Sequence, residues 1–214
     1  MNKLFTSFLI LLGISTAASA QTSGNFEFGV NAGLNMSYVI DGFSTAQSNS
    51  TVGFNAGISG DYYFSDRWSI KVKAIYDQKG WGDGFFDVTT NDGNTTTYEG
   101  VNYKLNYLTI PVMANWHFTR QRNWYLNFGP YAGFLLNATT SGNPDVSNTN
   151  LKSYFNSTDF GLAFGVGVKI PVSDNMKFFI EAEGQSGFSN LVTNSGDSST
   201  LQNARSSLNI GLIF

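Results

Sequence analysis

The chain contains no cysteine, so neither a disulfide framework nor a lipid-modified N-terminal Cys is available to it. Charge is scarce as well: 13% of its 214 residues are charged and the net charge is −3. That composition offers no basic patch for nucleic acid, which is excluded as a partner. Long apolar runs are missing beyond the N-terminus, so no helix of about 20 apolar residues is predicted to cross a membrane. The one apolar run present, Leu4 to Ile14, follows Lys3 and precedes Ala18-Ser19-Ala20. It is too short to span and has the layout of a secretory signal peptide, so residues 1–20 are expected to be removed before Gln21. Residues 21–214 then form one exported domain.

What the chain has in quantity is alternation. In residues 26–38, FEFGVNAGLNMSY, the even positions Phe26, Phe28, Val30, Ala32, Leu34, Met36 and Tyr38 are apolar. The odd positions are polar or minute, so one strand face is greasy and the other is not. Ordinary strands run roughly 5 to 6 residues, whereas strands crossing a tilted membrane barrel need about 9 to 11. This one is long enough to span.

The pattern recurs along the chain. A second strand carries Val52, Phe54, Ala56, Ile58, Tyr62 and Phe64, and a third carries Trp68, Ile70, Val72, Ala74 and Tyr76, with Ile75 and Trp81 on its polar face. Residues 82–97 lack any period and read as a long loop. In the fourth strand the apolar parity changes between Tyr107 and Leu108, which predicts a β-bulge there. A fifth strand follows with Trp124, Leu126, Phe128, Phe134 and Leu136, then a second aperiodic loop over 139–157. Strand six runs from Phe160 to Val172, strand seven holds Phe178, Ile180 and Ala182, a polar loop covers 190–203, and the last strand ends at Phe214. Long connections follow strands one, three, five and seven and short ones follow two, four and six. The expected fold is all-β: an eight-stranded antiparallel up-and-down transmembrane β-barrel in the outer membrane, with the long loops outside and the short turns in the periplasm.

An exported eight-stranded lipocalin-like carrier would show the same alternation with the apolar face turned inward. Three features favour the opposite arrangement. Tyr38, Tyr62, Tyr63, Trp68, Tyr76, Trp116 and Trp124 cluster near strand ends, as an interfacial girdle requires. The polar face is rich in small residues that suit a narrow interior, and four long loops exceed what one lid over a pocket needs. With the apolar face in lipid, the interior receives Glu27, Asp61, Lys71, Lys73, Asp77, Asp159, Lys169, Glu181, Glu183 and Arg205. Charges of both signs confined there are expected to pair, forming a plug with no open pore. A polar interior kept only so that the outside is apolar uses the same residues.

Gly33-Leu34-Asn35, Tyr107-Leu108-Thr109-Ile110-Pro111, Gly129-Pro130-Tyr131-Ala132-Gly133 and Asp159-Phe160-Gly161-Leu162 resemble short motifs of the PorT-type outer-membrane β-barrel family, and more loosely the small OmpA/OmpX-type barrels. That resemblance implies an eight-stranded barrel in a Gram-negative outer membrane, and no catalytic residues come with it. A final aromatic, Phe214, resembles the signal by which barrel-insertion machinery recognises its clients. His117, the one histidine, sits near the end of strand four with no assignable Ser or Asp partner, so no enzyme is expected. No cofactor or metal site is expected either: DVTTNDG at 87–93 lacks the acidic spacing of a calcium loop, and the glycines at 161, 165 and 167 precede no helix. The expected partners are outer-membrane lipid, the insertion machinery and a protein met at the surface or in a secretion system. Phe85, Phe86, Tyr154 and Phe155 are the loop aromatics available to such a partner.

Overall fold

The computed structural model describes residues 24–41, 48–90, 92–193 and 200–214; the expected signal peptide lies outside them. Eight antiparallel strands follow one another around a ring: β1 (Phe26–Asp41), β2 (Thr51–Tyr63), β3 (Trp68–Thr89), β4 (Thr95–Phe118), β5 (Trp124–Ser141), β6 (Thr158–Ser173), β7 (Met176–Gly187) and β8 (Leu201–Ile213). Each strand pairs with its neighbours in sequence, and β1 closes the ring on β8 from Gly29↔Ile213 to Asp41↔Leu201. Connections at 64–67, 119–123 and 174–175 are tight, and the start of β1 and the end of β8 lie at that same end.

Alternation decides the two faces. Leu34 is 66% exposed on the outer wall and its neighbour Asn35 is 1% exposed inside. The same inversion holds around the ring, with Val52, Phe54, Ile70, Phe128, Phe164 and Leu208 outward. A soluble carrier would bury these residues, so the wall is built for hydrocarbon and the lipocalin alternative fails. Trp68, Trp116 and Trp124 stand outward together near the short turns, with Trp68 opposite Trp116 in register. Tyr63, expected in the same girdle, instead points into the interior and is fully buried.

Three further expectations change. No bulge interrupts β4 at Tyr107/Leu108: Val101, Leu105, Tyr107 and Thr109 all face inward in one unbroken phase. The irregularity lies across the pair, in β5, where Asn106 faces Asn137 but Tyr107 faces Leu135, so Leu136 is the additional residue. The parity misled because Leu105 and Tyr107 are apolar for a different reason from Leu108. They belong to a buried cluster with Val39, Leu135, Ala138, Leu151, Phe155 and Leu191 that fills the interior at the long-loop end.

The segment 82–97 is no open loop. β3 and β4 continue through it as a ribbon, with Thr90 N donating to the Asn94 carbonyl (2.9 Å) beyond the paired residues, register shifts at Trp81/Gly84 and Gly84/Phe86, and Asp83 at φ 55°. Both faces of much of this ribbon meet solvent, so no period of two is selected there. Asp87 accepts a hydrogen bond from Thr97 Oγ1 (2.6 Å) across the ribbon. The expected loop 139–157 likewise begins as strand to Ser141 and then makes two single turns of 3-10 helix, Pro144–Val146 and Lys152–Tyr154. Of the loop aromatics, Phe86 and Phe155 pack with the inner cluster, while Phe85 and Tyr154 are exposed.

Close packing between strands leaves no room at Gly57, where a Cβ would lie 2.6 Å from the Ala74 carbonyl oxygen and 3.1 Å from Ile75 Cα. Gly57→Val is therefore expected to destabilise the barrel by about 1–3 kcal/mol or to prevent its closure. Urea unfolding in lipid vesicles, followed by the heat-dependent shift in gel mobility, measures it.

Candidate functional site: a column of alternating charge

The interior is organised by which strands carry which sign. β3 contributes Lys71, Lys73 and Lys79, and β7 contributes Glu181 and Glu183. In a ring of eight, β3 and β7 stand opposite, so their long side chains meet across the axis. Between β1 and β2 the register by itself gives repulsion, because Glu27 sits directly opposite Asp61. Lys169 resolves this by reaching from β6 to both carboxylates, at 2.6 Å and 3.5 Å.

Followed from the short-turn end, the ion pairs form one unbranched chain of alternating sign. Lys177 pairs with Glu27, Glu27 with Lys169, Lys169 with Asp61, and Asp61 with Lys71 at 3.9 Å. Lys71 meets Glu181 at 3.8 Å, Glu181 meets Lys73, and Lys73 meets Glu183 at 2.6 Å. Glu183 then pairs with Arg205, Arg205 with Asp77 at 2.9 Å, Asp77 with Lys79 at 3.9 Å, and Lys79 with Asp159 at 3.1 Å. Six carboxylates thus alternate with six cations, and the column is electrically neutral.

Neutral side chains supply the hydrogen bonds that a buried ion needs beyond its counter-charge. Tyr125 OH and Asn127 Nδ2 both donate to Glu181 Oε2, at 2.9 Å and 2.8 Å. Asn35 Nδ2 and Thr109 Oγ1 donate to Asp77, and Asn115 Nδ2 donates to Asp61. Tyr131 and Asn203 donate to Asp159 Oδ2, while Ser189 donates to its Oδ1. Lys71 and Lys79 also lie over the rings of Tyr125 and Tyr131, 4.2 Å and 4.5 Å from the centroids. A cavity of about 10 Å³ beside Ser59, Asp61, Lys71 and Glu181 has room for about one water.

All ten charged residues expected inside face inward: nine are buried and Glu27 is partly covered at the short-turn end. Lys79 and Lys177 complete the chain and were missed, although their odd numbers give them the parity of Lys71 and Glu181. The Asn, Thr and Tyr donors carried no comparable signal, because such residues occur throughout the chain. His117 does have a partner that the sequence could not assign. Its Nε2 lies 3.2 Å from Ser69 Oγ, brought in from the neighbouring strand. Its Nδ1 meets no hydrogen-bonding group among the described residues, and no carboxylate orients the ring as a catalytic triad would require. Among the described residues no cluster of His, Cys, Asp or Glu is arranged to hold a metal ion.

A family model for the outer membrane protein beta-barrel domain matches residues 19–193. No curated protein matches the chain. Among solved structures, it is similar to the attachment invasion locus protein Ail of Yersinia pestis, with 15% identity over 90% of this chain and 100% of that one and a TM-score of 0.43. It is also similar to OprG from Pseudomonas aeruginosa (13% identity, 92% and 99% covered, TM-score 0.47) and to Neisserial surface protein A (16%, 87% and 97%, 0.48).

Arg205→Met would leave Asp77 and Glu183 facing each other's charge with one counter-ion each. A loss of about 3–5 kcal/mol is expected, because an uncompensated charge stays buried. Lys177→Met, at the wetter end of the column, is expected to cost about 1 kcal/mol or less. Urea titration of the two folded variants in vesicles gives the comparison, and equal losses would contradict it.

Proposed function

This chain belongs to the outer membrane protein β-barrel domain family, and from that premise we propose that it is a wall protein of the outer membrane with a closed interior, which works through the loops it displays. The observation that carries this reading is the column. Twelve charges bridge the barrel from Lys177 to Asp159, and the apolar cluster of Leu105, Tyr107, Leu151, Phe155 and Leu191 continues above them. Opening a water path would require separating buried pairs, each held by hydrogen bonds from the wall. Transport through the barrel is therefore the weaker reading, and a structural or surface-interaction role the stronger one.

The active surface then lies at the long-loop end, facing the outside of the cell. The β3–β4 ribbon stands farthest from the membrane, because β3 and β4 have 22 and 24 residues, about twice what a crossing needs. Phe85 on the ribbon and Tyr154 in the connection between β5 and β6 are exposed aromatics at this end. The motifs resembling the PorT type support a second reading, in which the protein partner on this surface belongs to a secretion apparatus. Export through the N-terminal segment, with cleavage after Ala20, is part of both readings. The pair His117 and Ser69 is enclosed among Tyr63 and Tyr125, which supports a role in packing and not in hydrolysis.

Planar bilayers containing the purified barrel are expected to show no large, steady conductance, and a stable open channel would overturn the closed reading. The C-terminal Phe214 exchanges both backbone hydrogen bonds with Phe28 and stays partly exposed on the wall. Deleting it is expected to impair insertion while leaving export intact, read by membrane fractionation of the processed chain.

A further inference from the structure

One joint of the column is built unlike the others. Every other charged member has an opposite charge within hydrogen-bonding distance, as Lys169 has Glu27 at 2.6 Å and Lys79 has Asp159 at 3.1 Å. Lys71 does not. Its ammonium stands 3.9 Å from Asp61 Oδ2 and 3.8 Å from Glu181 Oε2, and among the described residues nothing accepts a hydrogen bond from it. The Tyr125 ring covers one side of Nζ at 4.2 Å, which still leaves donors unused, since an ammonium carries three.

Asp61 shows the reverse shortage. Its Oδ2 takes Asn115 Nδ2 at 2.9 Å and Lys169 Nζ at 3.5 Å, while its Oδ1 is buried with no donor at all. Lys71 and Asp61 are 4% and 3% exposed, so bulk water does not relieve either of them. Buried polar atoms are rarely left in that condition, because each costs its full desolvation.

The bare donor and the bare acceptor line the same cavity of about 10 Å³, with Glu27, Ser59, Lys73 and Glu181 around them. It admits one water-sized molecule. Two ammonium groups disfavour a cation there, and three carboxylates disfavour an anion. What fits is neutral, and it both donates and accepts. Entry is from the short-turn end, where the side chains of Glu27 and Lys177 are 13% and 27% exposed, since the cluster with Leu151 and Leu191 fills the other end.

We propose that this cavity binds one water, which accepts a hydrogen bond from Lys71 Nζ and donates one to Asp61 Oδ1, keeping a second hydrogen for Glu181. The water is then a member of the column, and Asp61–Lys71 is its one mediated joint. That joint has an electrostatic task. On the short-turn side Lys177 and Lys169 balance Glu27 and Asp61, whereas on the other side Glu181, Glu183, Asp77 and Asp159 face only Lys73, Arg205 and Lys79. Lys71 supplies the missing positive charge from beside the water. The site goes beyond the surface role proposed above and stands whatever the loops bind.

A high-resolution crystal structure of the processed barrel is expected to show a water about 2.7–3.2 Å from both Lys71 Nζ and Asp61 Oδ1. A dry cavity, an ion in it, or Lys71 and Asp61 in direct contact overturns the proposal. The role of the water is read from a double-mutant cycle in vesicles. In Gly29→Ala the new Cβ would lie 2.6 Å from Ser59 Oγ, the end of a movable side chain, and so crowds the cavity without striking backbone. Alanine is otherwise the better strand residue. With the water displaced, the folded-to-unfolded ratio at a fixed urea concentration is expected to fall about tenfold. The same substitution in a Lys71→Met barrel, where the water has lost its donor, is expected to cost much less. Equal losses in the two backgrounds, or a gain in the wild type, overturn the role. Ser59→Val replaces Gly29→Ala in the cycle if the latter fails to fold, judged by heat-dependent gel mobility.

Discussion

A peptide group left unpaired in hydrocarbon costs several kcal/mol, and water is not there to relieve it. Every strand that crosses the membrane must therefore satisfy its N–H and C=O groups against another strand. Here the last strand returns to the first over thirteen register pairs, so the ring has no edge. The rest of the molecule follows from that closure. Eight strands enclose a bore narrow enough for side chains from opposite walls to touch, and alternation sends every second side chain into it.

Once the outside must be apolar, the interior is where polarity can go, but a narrow interior is itself a poor solvent. The chain's answer is stoichiometric: six carboxylates and six cations in a single file of alternating sign, with Tyr, Asn and Thr hydroxyls and amides completing their coordination. Lys169 is the clearest case, since it joins two carboxylates that the β1–β2 register has placed face to face. Such a file contributes more to uniqueness than to gross stability. Removing one member strands two neighbours, whereas replacing matched pairs by packed apolar groups can be nearly neutral. The column therefore ties strands on opposite sides of the ring to one another and holds them in one register.

Above the column the rule reverses. β3, β4 and β5 rise past the lipid, loops fold inward onto them, and the inward side chains become a hydrophobic cluster. Leu151 and Leu191 are tied there by backbone hydrogen bonds to Ala138 and Leu201. The molecule thus changes from an inside-out barrel to an ordinary core along one axis. That change accounts for the displaced bulge, because the sequence around Tyr107 crosses the boundary between the two regimes.

Fold class, strand count, the ring's up-and-down order and the inward set of charges were legible in the sequence, because a period of two over spanning lengths survives only where one face meets oil. Parity also places Lys79 and Lys177 on the inward face, so the remaining members of the column are legible by the same rule. The partners were another matter: nothing in the chain's order says that Lys73 on β3 meets Glu181 and Glu183 on β7, 108 and 110 positions away. Those pairings depend on strands facing each other across a closed ring. Leu105 and Leu108 likewise look the same as letters, and only the tertiary structure decides that one faces a buried cluster and the other the membrane. Hydrophobicity reports that a side chain avoids water; which dry environment receives it is set by where the ring places the residue.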